Sequence, residues 1–252
     1  MKKLTLLLTF LSVTAVAFAQ LEVGVAGGFS TTWLLNNNVS DQGPNLNPNA
    51  SFGGNFGLTG SFFFTENIGV GAELNYNSVN QKYDGEVDVQ VGEVNFDAKD
   101  HLNYFQVPIM LKVKTTSGFY FEVGPEFNFL SSANGDLTSD PSDDNFEYAG
   151  RDIKTGLENV MGIVFGFGGR FPVTDHIVLS AGLRFFGGLS DATSQLEETE
   201  FYNELAEGHL GVAETFAHLD QSGDYHYEKT TLATGGIQIG LLYAIGKDQK
   251  ED

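Results

Sequence analysis

The sequence contains no cysteine, so disulfide bonds cannot stabilise the fold and no lipid can be attached to a cysteine. Basic residues are scarce, with 13 Lys and Arg against 33 Asp and Glu. This balance argues against nucleic-acid binding, which depends on clustered Lys and Arg. Proline occurs only 6 times, whereas glycine occurs 31 times and phenylalanine 22 times. Such a composition favours closed β-structure over disorder.

Long hydrophobic runs are absent except at the N-terminus. Two lysines precede an apolar stretch over residues 4–18, and the triplet at 17–19 fits the small-x-small rule for signal cleavage. The stretch is shorter than the ~20 residues that a spanning helix needs. We therefore expect a cleaved signal peptide over 1–19 rather than a membrane anchor. The mature chain would keep 11 basic and 33 acidic residues, a net charge of −22.

Apolar residues alternate with small or polar residues through most of the mature chain, which is the period of a β-strand. In 52–64, for example, Phe52, Phe56 and Leu58 fall on one face and Thr59 on the other. Strands of soluble proteins usually have about 5–6 residues, whereas a tilted membrane strand needs about 9–11 within the hydrocarbon. The predicted strands have the membrane length. They cover 21–32, 52–64, 68–81, 101–115, 119–131, 159–171, 177–189 and 231–245.

The connections between these strands alternate in length. Three are short, at 65–67, 116–118 and 172–176. Four are long and polar, at 33–51, 82–100, 132–158 and 190–230. Short periplasmic turns and long external loops are typical of outer-membrane barrels. We therefore predict an all-β fold: an eight-stranded antiparallel up-and-down transmembrane β-barrel. Its domain is expected over 20–246, with a polar tail over 247–252.

Aromatic residues gather near the predicted strand ends, as in the two interfacial girdles of a membrane barrel. The girdle near the short turns is predicted to contain Phe62, Phe63, Phe64, Phe119, Tyr120, Phe171 and Tyr243. The girdle toward the long loops is predicted to contain Tyr76, Tyr104, Phe105, Phe127, Phe129 and Phe185. Ordinary packing of core aromatics is the alternative.

The second face of the strands is mostly Gly, Asn, Ser and Thr, with too few charges for a soluble surface. We expect this face to line the lumen. An eight-stranded barrel is just wide enough for side chains to fill it, and buried charges need partners. A plugged, ion-paired interior is therefore predicted, although Lys114 and Arg170 could instead lie at the water-exposed rims. The predicted lumen charges are Glu73, Lys112, Glu122, Glu126, Arg170 and Arg184.

Three segments of this middle region carry recognisable motifs. Residues 73–76 read ELNY, residues 104–112 read YFQVPIMLK and residues 119–126 read FYFEVGPE. They resemble the ELxY, YLxIPLLLK and YxxxGPE segments of Bacteroidota-type outer-membrane β-barrel proteins, the PorT-like porin family. The resemblance implies an eight-stranded barrel in a Gram-negative outer membrane and implies no catalytic residues. Pro108 and Pro125 lie inside these strands, where each removes a ladder donor. We therefore expect either a β-bulge near each proline or a strand end closer to it.

Candidate chemical sites are few. The five histidines show no spacing that selects a catalytic triad; they are His101, His176, His209, His218 and His226. The loop at 132–158 has clustered carboxylates but lacks the spacing of a calcium-binding EF-hand. These carboxylates are Asp136, Asp140, Asp143, Asp144, Glu147 and Asp152. We expect a solvated acidic loop, with no catalytic residue, metal site or cofactor.

The loop at 190–230 has the clearest internal pattern. Ser194 and Glu197 have the spacing of a helix capping box, and Tyr202, Leu205 and Leu210 follow at roughly helical spacing. The loop is either a contact surface for a protein or lipid-sugar partner, or a lid over the barrel mouth. The leading hypothesis is a monomeric scaffold in outer-membrane lipid that presents the acidic loops at 132–158 and 190–230 to a protein or lipid-sugar partner. The alternatives are a narrow porin for small solutes, a barrel enzyme and a soluble barrel for an apolar ligand.

Overall fold

The computed structural model describes residues 20–89, 92–141 and 147–245. The predicted signal peptide at 1–19 and the predicted tail at 247–252 lie outside these residues. In chain order the elements are β1 (Gln20–Leu35), α1 (Asn37–Asp41), β2 (Asn47–Asn49), β3 (Ser51–Phe63), β4 (Ile68–Val89), β5 (Gly92–Lys114), β6 (Phe119–Asp140), β7 (Tyr148–Asp152), β8 (Val160–Pro172), β9 (Ile177–Gly188), α2 (Glu198–Glu207), α3 (Val212–Ala217) and β10 (Thr231–Ile245). Within the described ranges, no helix has the length and apolar character needed to cross a membrane.

Eight of the strands form a closed antiparallel ring, which confirms the predicted barrel. Each long strand pairs with the next one along the chain, and β10 returns to pair with β1 over Leu21–Leu35 and Thr231–Ile245. The strands β2 and β7 are short additions that pair with β4 and β6. A closed ring satisfies its backbone groups internally and leaves no strand edge, which is the requirement for spanning lipid with β-structure.

The apolar face of the alternating pattern points outward. On β4 the outward residues are apolar from Ile68 to Tyr76 and become polar from Ser78 onward. On β5 the outward face is apolar from Phe105 to Val113. An outward apolar stretch of this length matches the about 9–11 residues that a tilted strand places in the hydrocarbon.

Three strands are longer than the sequence pattern suggested. β4 and β5 run through most of the segment expected to be a loop at 82–100, and β6 runs into the one at 132–158. The outward face of these extensions is polar because it lies beyond the lipid, while the inward face stays apolar at Tyr83, Ala98 and Leu137. The loop boundaries at 82–100 and 132–158 were therefore wrong.

The expected bulges at the two prolines are absent. The β4–β5 and β5–β6 ladders skip pairs beside Pro108 and Pro125 but keep the same register on either side. The register shift that the β5–β6 ladder does contain is at Asn103 and Tyr104, opposite 130–132. It turns Ala133 and the odd-numbered residues that follow it inward.

The aromatic girdles are only partly as predicted. Phe62, Phe105 and Phe129 face outward and are exposed on the barrel wall. Phe63 and Tyr104 instead face the interior and are buried. Each is next to an outward-facing residue, and successive side chains of a strand point to opposite faces. Tyr120 also points inward, where its hydroxyl oxygen approaches Gly182.

Candidate functional site

The lumen contains three layers of polar side chains. The layer nearest the short turns is centred on Glu22, whose side chain is almost completely buried. Arg170 Nη2 donates to both carboxylate oxygens of Glu22, at 2.7 and 2.8 Å, and Lys114 Nζ lies 3.2 Å from Glu22 Oε1. Lys114 also lies 3.7 Å above the ring of Phe63. The two predicted cations of this layer thus meet a carboxylate that sequence reasoning missed.

The middle layer joins two carboxylates to two cations. Arg184 Nη1 and Nη2 donate to the two oxygens of Glu73 at 2.6 and 2.9 Å, and Nε donates to Glu122 Oε1 at 2.9 Å. Lys112 Nζ lies 3.6 Å from Glu73 and 3.4 Å from Glu122. Charge is balanced in this layer, and the planar guanidinium satisfies both carboxylates at once.

Glycine makes room for this layer. A Cβ atom on Gly166 would lie 2.7 Å from Glu122 Oε1, and one on Gly71 would lie 2.6 Å from Lys112 Cε. Side chains at these two positions would therefore push the ion pairs apart.

The third layer lies toward the long loops and contains Glu126. Gln106 Nε2 and Asn128 Nδ2 donate to Glu126 Oε1 at 3.2 and 3.1 Å. Among the described residues, no Lys, Arg or His side chain forms an ion pair with Glu126. The structure therefore places this predicted network residue in the lumen, but bonded to uncharged amide groups rather than to cations.

The cavities found between the layers are small. Two cavities line the lumen, one bordered by Glu126 and Arg184 and the other by Lys112 and Arg170. Their volumes are about 20 and 30 Å³. A buried water needs roughly 10–15 Å³ measured in this way, so each cavity has room for only one or two water molecules.

Above the polar layers, the external segments fold inward as a packed cap. We use the name cap for 36–49 and 153–158 together with 191–230. The cap and the strand extensions share one apolar core. That core includes Leu34, Val39, Leu46, Val79, Tyr83, Phe96, Leu102, Tyr104, Leu137, Ile153, Leu157, Val212 and Ala213. The segments at 33–51 and 190–230 are thus ordered by burial of their own apolar residues.

Buried polar residues tie the parts of the cap together. Asn36 Nδ2 donates to the backbone oxygen of Glu228 at 2.7 Å, and Asn38 Nδ2 donates to that of His226 at 2.6 Å. The backbone N–H of Leu196 donates to His218 Nε2 at 3.2 Å. Burial lowers the pKa of His218, which keeps this ring neutral and able to accept that bond.

The predicted helix in 190–230 is present as α2, but the predicted capping box is wrong. The N-cap residue is Glu197, and it makes no side-chain capping bond. Ser194 Oγ instead donates to the backbone oxygen of Thr155 at 3.1 Å. Tertiary packing of the segment against 153–158 therefore decides where Ser194 lies.

The acidic residues of 132–158 stabilise local structure. Asp136 Oδ1 accepts a hydrogen bond from the Gly150 backbone at 2.7 Å, and Asp136 Oδ2 lies 3.3 Å from His101. Asp152 Oδ1 accepts from the Lys154 backbone N–H at 3.0 Å. Asp143 and Asp144 lie outside the described residues.

The histidines are dispersed over the molecule. His101 contacts Asn80 and Asp136, and His176 contacts the backbone oxygen of Ala244 in a short turn. His209 and His226 contact Glu204 and Glu228 on the surface of the cap. In the hydrogen bonds of the described residues, none of the five rings is paired with a hydroxyl group.

A family model described as "Outer membrane protein beta-barrel domain" matches residues 18–194. The chain belongs to this family. The family and the closed ring of strands place the protein in the outer membrane, with its outward apolar band in the lipid. No curated protein sequence matches the chain significantly.

Solved structures of outer-membrane proteins are similar to this chain. Ail of Yersinia pestis, in complex with the heparin analogue sucrose octasulfate, is 10% identical with a TM-score of 0.36, over 89% of this chain and 99% of Ail. OprG of Pseudomonas aeruginosa is 14% identical with a TM-score of 0.37, over 90% and 95% of the two chains. AlkL, determined in lipid bilayers, is 13% identical with a TM-score of 0.46, over 93% and 94%.

Proposed function

We propose that this protein is a closed outer-membrane scaffold that presents a rigid, acidic cap to partners outside the cell. The observation that carries the proposal is the filled lumen. Three polar layers occupy the barrel, and the cavities between them have volumes of only about 20 and 30 Å³. A solute path would require breaking the contacts of Arg184 with Glu73 and Glu122.

The cap supports the scaffold role because it closes the barrel a second time. Its core continues into the inward faces of β4, β5 and β6, where Tyr83, Leu102 and Leu137 are buried. A loop that gated a channel would need a weakly held arrangement, since moving segments come from the less stable parts of a protein. The cap instead buries its own apolar residues.

The exposed surface of the cap indicates the chemistry of a partner. Helix α2 displays Glu198, Glu200 and Glu207 to solvent. A surface of this sign attracts Lys- and Arg-rich protein surfaces and repels other anions. We therefore propose a cationic protein partner, within the role of an interaction scaffold, and assign the chain to the PorT-like group of the family on its ELNY, YFQVPIMLK and FYFEVGPE segments.

Planar-bilayer recording tests the central claim. The purified protein should show no steady conductance, and neither should a variant in which a short linker replaces 191–229, because the polar layers close the lumen independently of the cap. Steady conductance of the unaltered protein would overturn the proposal in favour of a narrow porin.

Binding of a lysine-rich peptide tests the partner chemistry. The triple variant Glu198→Gln/Glu200→Gln/Glu207→Gln should bind the peptide more weakly than the unaltered protein. The affinity of the unaltered protein should also fall more steeply with rising salt than that of the variant. The matched control is Asp220→Asn with Asp224→Asn, elsewhere on the cap. Equal weakening in both variants would mean that general charge, not α2, attracts the peptide.

A further inference from the structure

Two carboxylates meet at the seam between the cap and the barrel extension. Asp100 projects inward from β5 above the apolar band, and Glu214 projects from α3 of the cap. Their exposed fractions are 1% and 0%. A Cβ atom on Gly211 would lie 2.6 Å from Glu214 Oε2 and 3.1 Å from Asp100 Oδ1. Both carboxylates thus approach the same small volume beside Gly211.

Neither carboxylate has a cation or a well-formed hydrogen bond. All four oxygens are buried, and none makes a well-formed hydrogen bond, although backbone N–H groups of Gly211, Ala213 and Glu214 act on them. None of the described Lys, Arg or His side chains forms an ion pair with them. Gln81, the register partner of Asp100 on β4, uses its amide group on Leu34, Asn49 and Lys82. Gly135, the partner on β6, has no side chain.

Two buried tyrosine hydroxyls interact with this carboxylate pair. Tyr83 and Tyr104 are buried, and neither hydroxyl has a hydrogen-bond partner. Both interact electrostatically with the Glu214 carboxylate, and Tyr83 also interacts with Asp100. Tyr83 and Tyr104 come from β4 and β5, so buried oxygens without well-formed hydrogen bonds on three separate elements, β4, β5 and α3, interact electrostatically with one another. This convergence goes beyond a surface cluster of acids.

Electrostatics explains why such an arrangement needs a counter-charge. Burial and the nearby Asp136 carboxylate raise the pKa of Asp100 to about 7. Burial and the Asp100 carboxylate raise the pKa of Glu214 well above its usual range. The backbone N–H of Ala213 near Asp100, and those of Gly211 and Glu214 near the Glu214 carboxylate, oppose these shifts only in part. Tyr148 also acts on the pair, with Arg151 stacked on the Tyr148 ring.

We propose that Asp100 and Glu214 bind a divalent cation, with Ca²⁺ as the best fit, and that this ion fastens the cap to the barrel. The donors are carboxylate and hydroxyl oxygens, the hard ligands that Ca²⁺ prefers, and Ca²⁺ takes about six to eight of them. A proton shared between the carboxylates would leave most of these oxygens unpartnered. The site departs from the expectation that the chain has no metal ligand, and it is independent of whether the lumen conducts.

The cation would have a structural effect because its ligands come from distant parts of the chain. Asp100 belongs to the barrel wall and Glu214 to the segment 191–230. An ion that binds only when both are in place stabilises the closed cap by mass action. Removing the ion would leave two buried carboxylates facing each other and would favour opening of the cap.

Terbium luminescence tests the site in the folded, detergent-solubilised protein. Tb³⁺ replaces Ca²⁺ at oxygen sites, and excitation of nearby tyrosines makes the bound ion luminesce. The unaltered protein should give saturable luminescence that Ca²⁺ displaces. The double variant Asp100→Asn/Glu214→Gln should lower the affinity for Tb³⁺ by more than about tenfold.

The matched control is the exposed cluster of Glu204, Glu207 and His209, whose ligand atoms lie within 4.8 Å of one another. The variant Glu204→Gln/Glu207→Gln should retain the signal. Loss of the signal in this control, or its persistence in the Asp100/Glu214 variant, would overturn the proposal. So would the absence of any signal that Ca²⁺ displaces.

Limited proteolysis supplies a readout that does not depend on tyrosine. In the unaltered protein, cleavage within 191–229 should be slower with Ca²⁺ than with a chelator. In Asp100→Asn/Glu214→Gln, the two conditions should give the same rate. Heat-modifiable migration on a gel shows whether each variant is folded, and the single variant Asp100→Asn replaces the double one if the latter does not fold. Equal cleavage of the unaltered protein with Ca²⁺ and with chelator would contradict the proposal.

Discussion

The lumen and the cap seam bury carboxylates in opposite ways. In the middle layer of the lumen, Glu73 and Glu122 share Arg184 and Lys112 at distances of 2.5–3.6 Å. At the seam, Asp100 and Glu214 face each other with no cationic side chain among the described residues. Removing a carboxylate from water is costly in both places. In the lumen, cationic side chains of the protein offset that cost, so the stability of the lumen should depend little on ions in solution. The stability of the seam should instead depend on bound protons or metal ions.

The largest effect should come from breaking the lumen pairs. Arg184→Met leaves Glu73 and Glu122 with Lys112 alone and should lower the free energy of unfolding by about 3–5 kcal/mol. Urea unfolding in detergent, followed by heat-modifiable migration, measures it. The control Arg151→Met removes a guanidinium stacked on Tyr148 and should cost at most about 1 kcal/mol. Equal losses would mean that the lumen pairs contribute no more than a surface contact.

The opposite change is expected at the seam. In chelator near pH 7, Asp100→Asn/Glu214→Gln should stabilise the closed cap by about 1–3 kcal/mol, because closing the cap raises the pKa of both carboxylates and so disfavours the ionised forms that they have when exposed. The rate of protease cleavage within 191–229 reports the open population of the cap. With Ca²⁺ present, the unaltered protein should become the more resistant of the two. Faster cleavage of the variant in chelator would show that the two carboxylates stabilise the seam without an ion.

Acidity should separate the two regions further. The pKa of Asp100 is raised to about 7 in the folded protein, against about 4 in an unfolded chain, so the folded state binds protons more tightly between these values. In chelator the closed cap should therefore be most stable near pH 4 and lose stability as the pH rises to about 7. Cleavage within 191–229 should speed up over this window, and Asp100→Asn/Glu214→Gln should reduce that change. If cleavage of the variant had the same pH dependence, groups other than Asp100 and Glu214 would be responsible for that dependence.

The smallest effect is expected at Glu126. Its oxygen accepts hydrogen bonds from Gln106 and Asn128 and has no ion-pair partner among the described residues. Glu126→Gln keeps an acceptor in place and should change the free energy of unfolding by less than about 1 kcal/mol. Glu122→Gln removes one of the two carboxylates that pair with Arg184 and should lower the free energy of unfolding by about 3 kcal/mol. If urea unfolding showed similar losses of stability for both variants, the distinction between the ion-paired middle layer and the layer of Glu126 would be contradicted.

Sequence patterns predicted the wall of the barrel better than its contents. Alternation of apolar and small residues places Val23, Leu74 and Phe121 outside because a strand turns successive side chains to opposite faces. The same alternation in β1 points Glu22 inward, because it is next to the outward-facing Val23. The position of Glu22 in the lumen could therefore have been predicted from the sequence. Phe63 and Tyr104 were predicted to lie in the girdles because they are near strand ends, whereas the alternation of side chains along each strand points both inward.

What the sequence determined by itself is therefore local and periodic: the outward apolar band, the short turns and the chain-order pairing of eight strands. The tertiary structure decided which side chains meet across the interior. Arg184 reaches Glu73 only because the ring closes between β10 and β1, and the register shift at Asn103 places Gly135 beside Asp100. Asp100 and Glu214 are 114 positions apart in the sequence. They meet because the apolar residues of 190–230 are buried in the barrel mouth, an outcome of packing that no local pattern encodes.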